Sequence, residues 1–162
     1  MSKHKLSPVI ITQIALVAAV YAALTVVLAP FSYGAMQVRI AEMLMLLCVY
    51  RKRWCVALSL GCFIANLFSG MPADILFGTL ATVIAAVLMY CIGKPVIASL
   101  IPAVANGLIV GAELHFFYGM PYAATFLGVA AGELIAVALL GLPVMAAAMR
   151  SPHVRRLVGK RE

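Results

Sequence analysis

Residues 8–29 read PVIITQIALVAAVYAALTVVLA, an apolar run with no charged side chain, opened by Pro8 and followed by Pro30. A helix needs about 20 such residues, at roughly 1.5 Å of rise each, to cross the hydrocarbon core of a bilayer. Working outward from this stretch, five further apolar runs follow, over residues 40–50, 54–68, 73–92, 95–117 and 121–149. The pattern predicts an all-α integral membrane protein, a bundle of six transmembrane helices forming one domain over residues 1–162. The second and third runs are short for a full crossing. The linker of residues 31–38 before them, which contains Gly34, is therefore expected to dip into the protein, where other helices can cover its backbone.

Composition supports the same class. The chain is 65% hydrophobic and 10% charged, against roughly 25% charged residues in a soluble domain. Six crossings use roughly 120 residues, which leaves room for short loops and no soluble domain. Residues 1–8 are too short and mixed for a cleaved signal, so the first run is expected to be a retained helix.

A net charge of +7 would suggest nucleic acid in a soluble protein, but here the basic residues lie in clusters between apolar runs. An even number of crossings places Lys3, Lys5, Arg51, Lys52, Arg53, Lys94, Arg150, Arg155, Arg156, Lys160 and Arg161 on one side and only Arg39 on the other. Basic residues favour cytoplasmic loops, so both termini are expected in the cytoplasm of a bacterial cell membrane. Tyr50 and Trp54 flank the inner basic turn, as interfacial aromatics do. No array repeat is visible, and an inverted repeat of three plus three helices stays open.

The candidate chemistry lies in the acids. Glu162 is simply terminal, but Glu42, Asp74, Glu113 and Glu133 fall in or beside the apolar runs. A charge at the bilayer centre costs roughly 2.5–3.5 kcal/mol on insertion scales and usually faces a pathway or a site. With the topology above, Glu42, Asn66, Asp74 and Glu113 lie at the outer ends of their helices. Asn106 stands two turns before Glu113 on the same face. Glu133 is the deepest acid. With Arg39, these residues describe a polar pocket open to the outside.

Plainer readings compete for each. Arg39 and Glu42 have the spacing of a local ion pair. Asp74, just after Pro72, is placed to cap a helix start, and Asn66 to bond a neighbouring helix. His115, among Phe116, Phe117 and Tyr118, reads as interfacial. Cys48, Cys55, Cys62 and Cys91 have no metal-binding spacing and read as packing residues. There is no HExxH, no G-x-S-x-G and no P-loop, so neither an enzyme nor an ATPase is expected. Ala15, Ala19 and Ala23, with Ala18 and Ala22 alongside, form a smooth stripe on the first helix. Gly107/Gly111 and Gly128/Gly132 repeat the small-xxx-small spacing. Such faces serve close packing within a bundle or docking of another membrane subunit.

The run Met36-Gln37-Val38-Arg39-Ile40-Ala41-Glu42, then Gly61 to Asn66, then Asp74-Ile75-Leu76-Phe77-Gly78-Thr79-Leu80-Ala81-Thr82 resembles the QueT family. The similarity extends through the first helix, from Gln13-Ile14-Ala15 to Leu24-Thr25, and over most of the chain. These are queuosine-precursor transporters, the substrate-binding (S) components of energy-coupling factor (ECF) transporters. The resemblance implies a six-helix S component that captures a micronutrient outside. It would then deliver the cargo inward by toppling, together with a transmembrane coupling subunit (EcfT) and two cytoplasmic ATPases. Ala15, Ala19 and Ala23 match the family's docking surface. No cofactor is expected on this chain, ATP being used by the partners.

The cargo implied is queuine or a related 7-deazaguanine. On that reading Glu113 or Glu133 meets the base edge and Asn66 and Asn106 add amide contacts. Asp74 or Glu42 lies near an amine, Arg39 is a donor, and Phe68, Phe77 or Tyr118 stacks. An S component for another vitamin, a self-sufficient proton-coupled carrier and a purely structural membrane protein are the competing expectations.

Overall fold

A computed structural model describes residues 7–32 and 37–159. Part of the linker with Gly34, the motif residue Met36, and Lys3, His4, Lys5, Lys160, Arg161 and Glu162 lie outside the described residues. The described residues are helical, with no strand.

Helix α1 is Pro8–Val27. Its buried residues, Ala18, Tyr21, Ala22 and Thr25, recur every three or four positions and so form one face. A short turn, Ala29–Ser32, follows. The chain re-enters through Gln37, whose φ of 28° lies in the left-handed region that side chains with a Cβ rarely occupy. Helix α2, Ile40–Val49, is wound as a 3-10 helix. At about 2.0 Å rise per residue, its ten residues reach roughly 20 Å, farther than α-helical winding would carry them.

Helix α3 is Lys52–Asn66 and α4 is Pro72–Ile92. Helix α5 is Pro95–Tyr118, with an irregular turn at Ser99 and Leu100. Helix α6 is Tyr122–Ala148, in which Leu134–Gly141 widen into π-helix. Pro8, Pro72 and Pro95 each open a helix where a missing N–H costs nothing. Gly93, at φ 63°, ends α4 in the left-handed conformation that a glycine C-cap supplies. Helix α7, Pro152–Val158, closes the described chain.

Neighbouring helices follow the order α1, α3, α4, α5, α6, and α2 fills the gap between α6 and α1 while also touching α3 and α4. The contact of α1 with α3 depends on Gly61, where a Cβ would lie 2.8 Å from the Ala18 carbonyl oxygen. One apolar cluster gathers around α2 (Met45, Leu46, Cys48 and Val49, with Tyr21, Leu58, Cys62, Met89 and Val137). A smaller one, with Ala81, Val110, Leu114 and Val129, lies between α4, α5 and α6, and Met71 and Met120 pack against it. Large apolar side chains such as Leu16, Val27, Leu76, Val87, Val104 and Leu139 face outward, the arrangement expected where lipid is the solvent.

Four helices, α1, α4, α5 and α6, are long and apolar enough to cross a membrane. The expected count of six is corrected on two points. The described residues form seven helices, because the tail expected to be only basic coils into α7. Helices α2 and α3, with 10 and 15 residues, fall short of spanning length. The other boundaries differ by a residue or two, as in the first helix, which stops at Val27 rather than residue 29.

Candidate functional site: a buried polar cluster

Helix α2 enters the bundle with Arg39 and Glu42, and both side chains are buried. Arg39 Nη1 lies 3.9 Å from Glu42 Oε1, so the local pair expected from their spacing is present. The pair is not isolated. The Tyr21 hydroxyl of α1 donates to Glu42 Oε1, and Arg39 Nη1 lies 3.5 Å from Cys62 Sγ of α3. Arg39 is also within electrostatic reach of Asp74, Glu113 and Glu133.

The second part of the cluster joins α3, α4 and α5. Asn66 Nδ2 donates to the Asp74 carbonyl at 2.9 Å and to Thr79 Oγ1 at 3.3 Å. Gly78 allows this approach, since a Cβ there would lie 2.9 Å from Asn66 Nδ2. Asn66 therefore does bond a neighbouring helix, yet its Oδ1 finds no hydrogen-bond donor. Asp74 sits in the first turn of α4, but neither of its carboxylate oxygens meets a donor, a backbone N–H included. Capping alone does not explain it. Glu113 of α5 stands beside Asp74, and its two oxygens also lack donors.

The third part joins α5 to α6. Asn106 Nδ2 donates to Glu133 Oε1 at 2.5 Å, while Asn106 Oδ1 and Glu133 Oε2 stay without donors. Glu133 also feels the charge of Glu42, which links this pair to the first. Gly107 and Gly111 bring α5 and α6 together here. A Cβ at either would lie 3.1 Å from Phe126, against the ring at Gly107 and the backbone at Gly111.

All seven residues expected to line a pocket thus belong to one cluster: Arg39, Glu42, Asn66, Asp74, Asn106, Glu113 and Glu133. Each is at most 5% exposed. Across the six acids and amides, eight buried acceptor oxygens have no hydrogen-bond donor among the described residues. A buried acceptor left unmade costs roughly 1–3 kcal/mol, so the cluster calls for donors from elsewhere.

The cluster is closed rather than open to the outside as expected. Nearby, a cleft of about 140 Å³ is bounded by Asn66, Leu67, Gly70, Met71, Pro72 and Ile75. A groove of about 590 Å³ runs past Pro72, Leu76, Phe77, Phe117 and Tyr118, with the Phe77 and Phe117 rings 5.4 Å apart. Phe68 is mostly exposed. His115 points to the loop, its Nδ1 2.7 Å from the Met120 carbonyl.

Three participants were not foreseen: Tyr21, Cys62 and Thr82. Cys62 Sγ lies 3.1 Å from Thr82 Oγ1 and 3.4 Å from Asn66 Nδ2, so it joins the polar cluster as well as the apolar packing. Tyr21 carried a signal, its hydroxyl lying on the same buried face as Ala18, Ala22 and Thr25. Cys62 lies one turn before Asn66, also a readable signal. Ala15, Ala19 and Ala23 are exposed along α1, whereas Ala18 and Ala22 are buried. The small residues thus divide between an inward and an outward face.

The family model described as QueT transporter matches residues 11–150. A curated relative, the queuosine precursor transporter QueT of Lactococcus lactis subsp. cremoris (strain MG1363), is 38% identical over 76 residues. That match covers 46% of this chain and 45% of the relative, so the two align over less than half their lengths. No solved structure matches the chain. With four apolar helices of spanning length and a family match over most of its residues, the chain is a multi-pass membrane protein that belongs to the QueT transporter family.

Proposed function

We propose that the chain is the substrate-capture S component of an ECF-type importer, and that its buried cluster takes up a queuosine precursor such as queuine or a related 7-deazaguanine. The observation that carries this reading is the excess of acceptors. Eight buried oxygens without donors surround Arg39, the one cationic side chain buried among the described residues. A guanine-like edge presents adjacent N–H donors to a carboxylate, its carbonyl suits a guanidinium, and an aminomethyl cation suits a second carboxylate.

In this arrangement Glu113 or Glu133 meets the base edge, Asn66 and Asn106 offer amide oxygens, and Arg39 donates to the carbonyl. Asp74 or Glu42 holds the amine. Phe77, already paired with Phe117 beside the groove, is the aromatic best placed to stack. Because the cluster is closed, uptake requires the rim at residues 67–72 to move.

The finer architecture belongs to the same proposal. Six segments traverse the bundle, α2 and α3 as short helices covered by their neighbours, and both termini face the cytoplasm beside the basic turns. The exposed alanines of α1 supply a smooth face for a transmembrane coupling subunit. Two ATPases would supply the energy, since no P-loop occurs in the sequence.

Titration calorimetry on the purified full chain with queuine and its aminomethyl precursor tests the capture role. Saturable binding is expected, and no heat with any 7-deazaguanine overturns it. Binding of another vitamin in the same assay would keep the S-component role and change the cargo.

A further inference from the structure

Helix α1 carries no charge, yet it sends one polar group into the cluster. It buries four side chains, Ala18, Tyr21, Ala22 and Thr25. Two are alanines. The Thr25 hydroxyl is used inside the helix, where it donates to the Tyr21 carbonyl at 2.9 Å. Of these four, Tyr21 alone reaches another helix with a polar atom among the described residues.

The Tyr21 ring is fixed by apolar packing. Tyr21 is fully buried and belongs to the cluster around α2, with Met45, Leu46 and Leu58. Gly61 of α3 leaves room for it, since a Cβ there would lie 2.9 Å from Tyr21 Cβ. A tyrosine has only two side-chain torsions, so a packed ring carries its hydroxyl to a set point. That point is Glu42 Oε1, to which the hydroxyl donates. The Cys62 thiol stands beside the same hydroxyl.

Glu42 is therefore held through one oxygen. Arg39 Nη1 faces that same Oε1 at 3.9 Å. Glu42 Oε2 is buried and meets no donor among the described residues. A carboxylate accepts on both oxygens, so the fold engages one and leaves the other for an incoming N–H. Without the hydroxyl, the carboxylate of Glu42 would be free to turn about its own bonds. A binding group locked by a supporting hydrogen bond loses less freedom when the ligand arrives.

We infer that Tyr21 is a positioning residue of the capture site: its hydroxyl fixes Glu42 through Oε1, so that Oε2 meets an N–H of the cargo. This rests on the capture reading given above.

The test is a double-variant cycle on the full chain, read by titration calorimetry with the aminomethyl 7-deazaguanine precursor. Tyr21→Phe keeps the ring and removes only the hydroxyl, and should weaken binding about tenfold. In the Glu42→Ala background the same change should have almost no effect, because the group it positions is gone. If Glu42→Ala does not fold, Glu42→Gln takes its place, with a loss below about threefold expected since the charge-assisted bond is absent. Thr25→Val removes a hydroxyl from the same buried face without touching the cluster, and should leave affinity unchanged. A loss from Tyr21→Phe that persists in full without the Glu42 carboxylate makes Tyr21 a direct contact and overturns the positioning role. So does unchanged affinity in Tyr21→Phe, or an equal loss in Thr25→Val, which would make the effect one of helix packing. These outcomes leave the capture reading standing. Absence of binding by any 7-deazaguanine to the unaltered chain overturns that reading and the role of Tyr21 together.

Discussion

Asn66 is the residue at which packing and the proposed chemistry meet. Its amide N–H bonds α4 at the Asp74 carbonyl, and its oxygen stays open. Glu113 differs, since neither of its oxygens meets an N–H or hydroxyl donor, and its neighbour is another carboxyl, that of Asp74. Replacing Glu113 by Gln should therefore leave the fold intact and weaken ligand binding by about tenfold, the loss of a charge-assisted bond. Asn66→Ala should weaken binding similarly and also cost about 1 kcal/mol of stability. Calorimetry paired with thermal unfolding separates the two effects, and unchanged affinity in both would remove them from the site. The acids were readable one by one, because a charge in an apolar run is conspicuous. Tyr21 and Cys62 carried only positional signals, because a tyrosine in an alanine-rich helix and a cysteine in an apolar one look like packing until their partners are known.

At the scale of elements, α1 presents two faces of small residues, one buried and one exposed. The inner one meets Gly61, where a Cβ would lie 2.8 Å from the Ala18 carbonyl oxygen and 2.9 Å from Tyr21 Cβ. Gly61→Val should force α1 away from α3 and cost about 1–3 kcal/mol, with Tyr21 displaced from Glu42. A lower thermal midpoint together with weaker ligand binding is the expected outcome. The outer face bears Ala15, Ala19 and Ala23. Ala19→Trp should leave ligand affinity intact and prevent co-purification of the coupling subunit; unimpaired assembly would make this face an ordinary lipid contact. The alanine spacing was plain in the sequence, but the division into inward and outward rows needed the position of α3. The 3-10 winding of α2 had no sequence signal, since a ten-residue apolar run fits either helix.

For the whole molecule, hydropathy and charge made the membrane class legible, because lipid demands long apolar helices and leaves little freedom in how they look. The closure of the cluster was not legible. It is tertiary information, like the packing of the loop residue Met71 against the apolar cluster of Ala81, Val110, Leu114 and Val129. On the proposed S-component reading, accumulation of the cargo should be lost when the partner ATPases are deleted, while ligand binding is kept. Uptake that persists without them and collapses with the proton gradient would favour a self-sufficient carrier. The two outcomes are read by radiolabelled uptake in cells.

The tight coil of α2 leaves an imprint on what the gene can tolerate. With three residues per turn, side chains three apart lie one above another, so Glu42, Met45 and Cys48 form a single column, and all three are fully buried. Saturation mutagenesis across residues 40–49 should show intolerance at this column and also at Ala41, Leu46 and Val49, which are buried beside it. A one-codon insertion between Glu42 and Met45 would turn that column by about 120° and carry the carboxyl away from Tyr21.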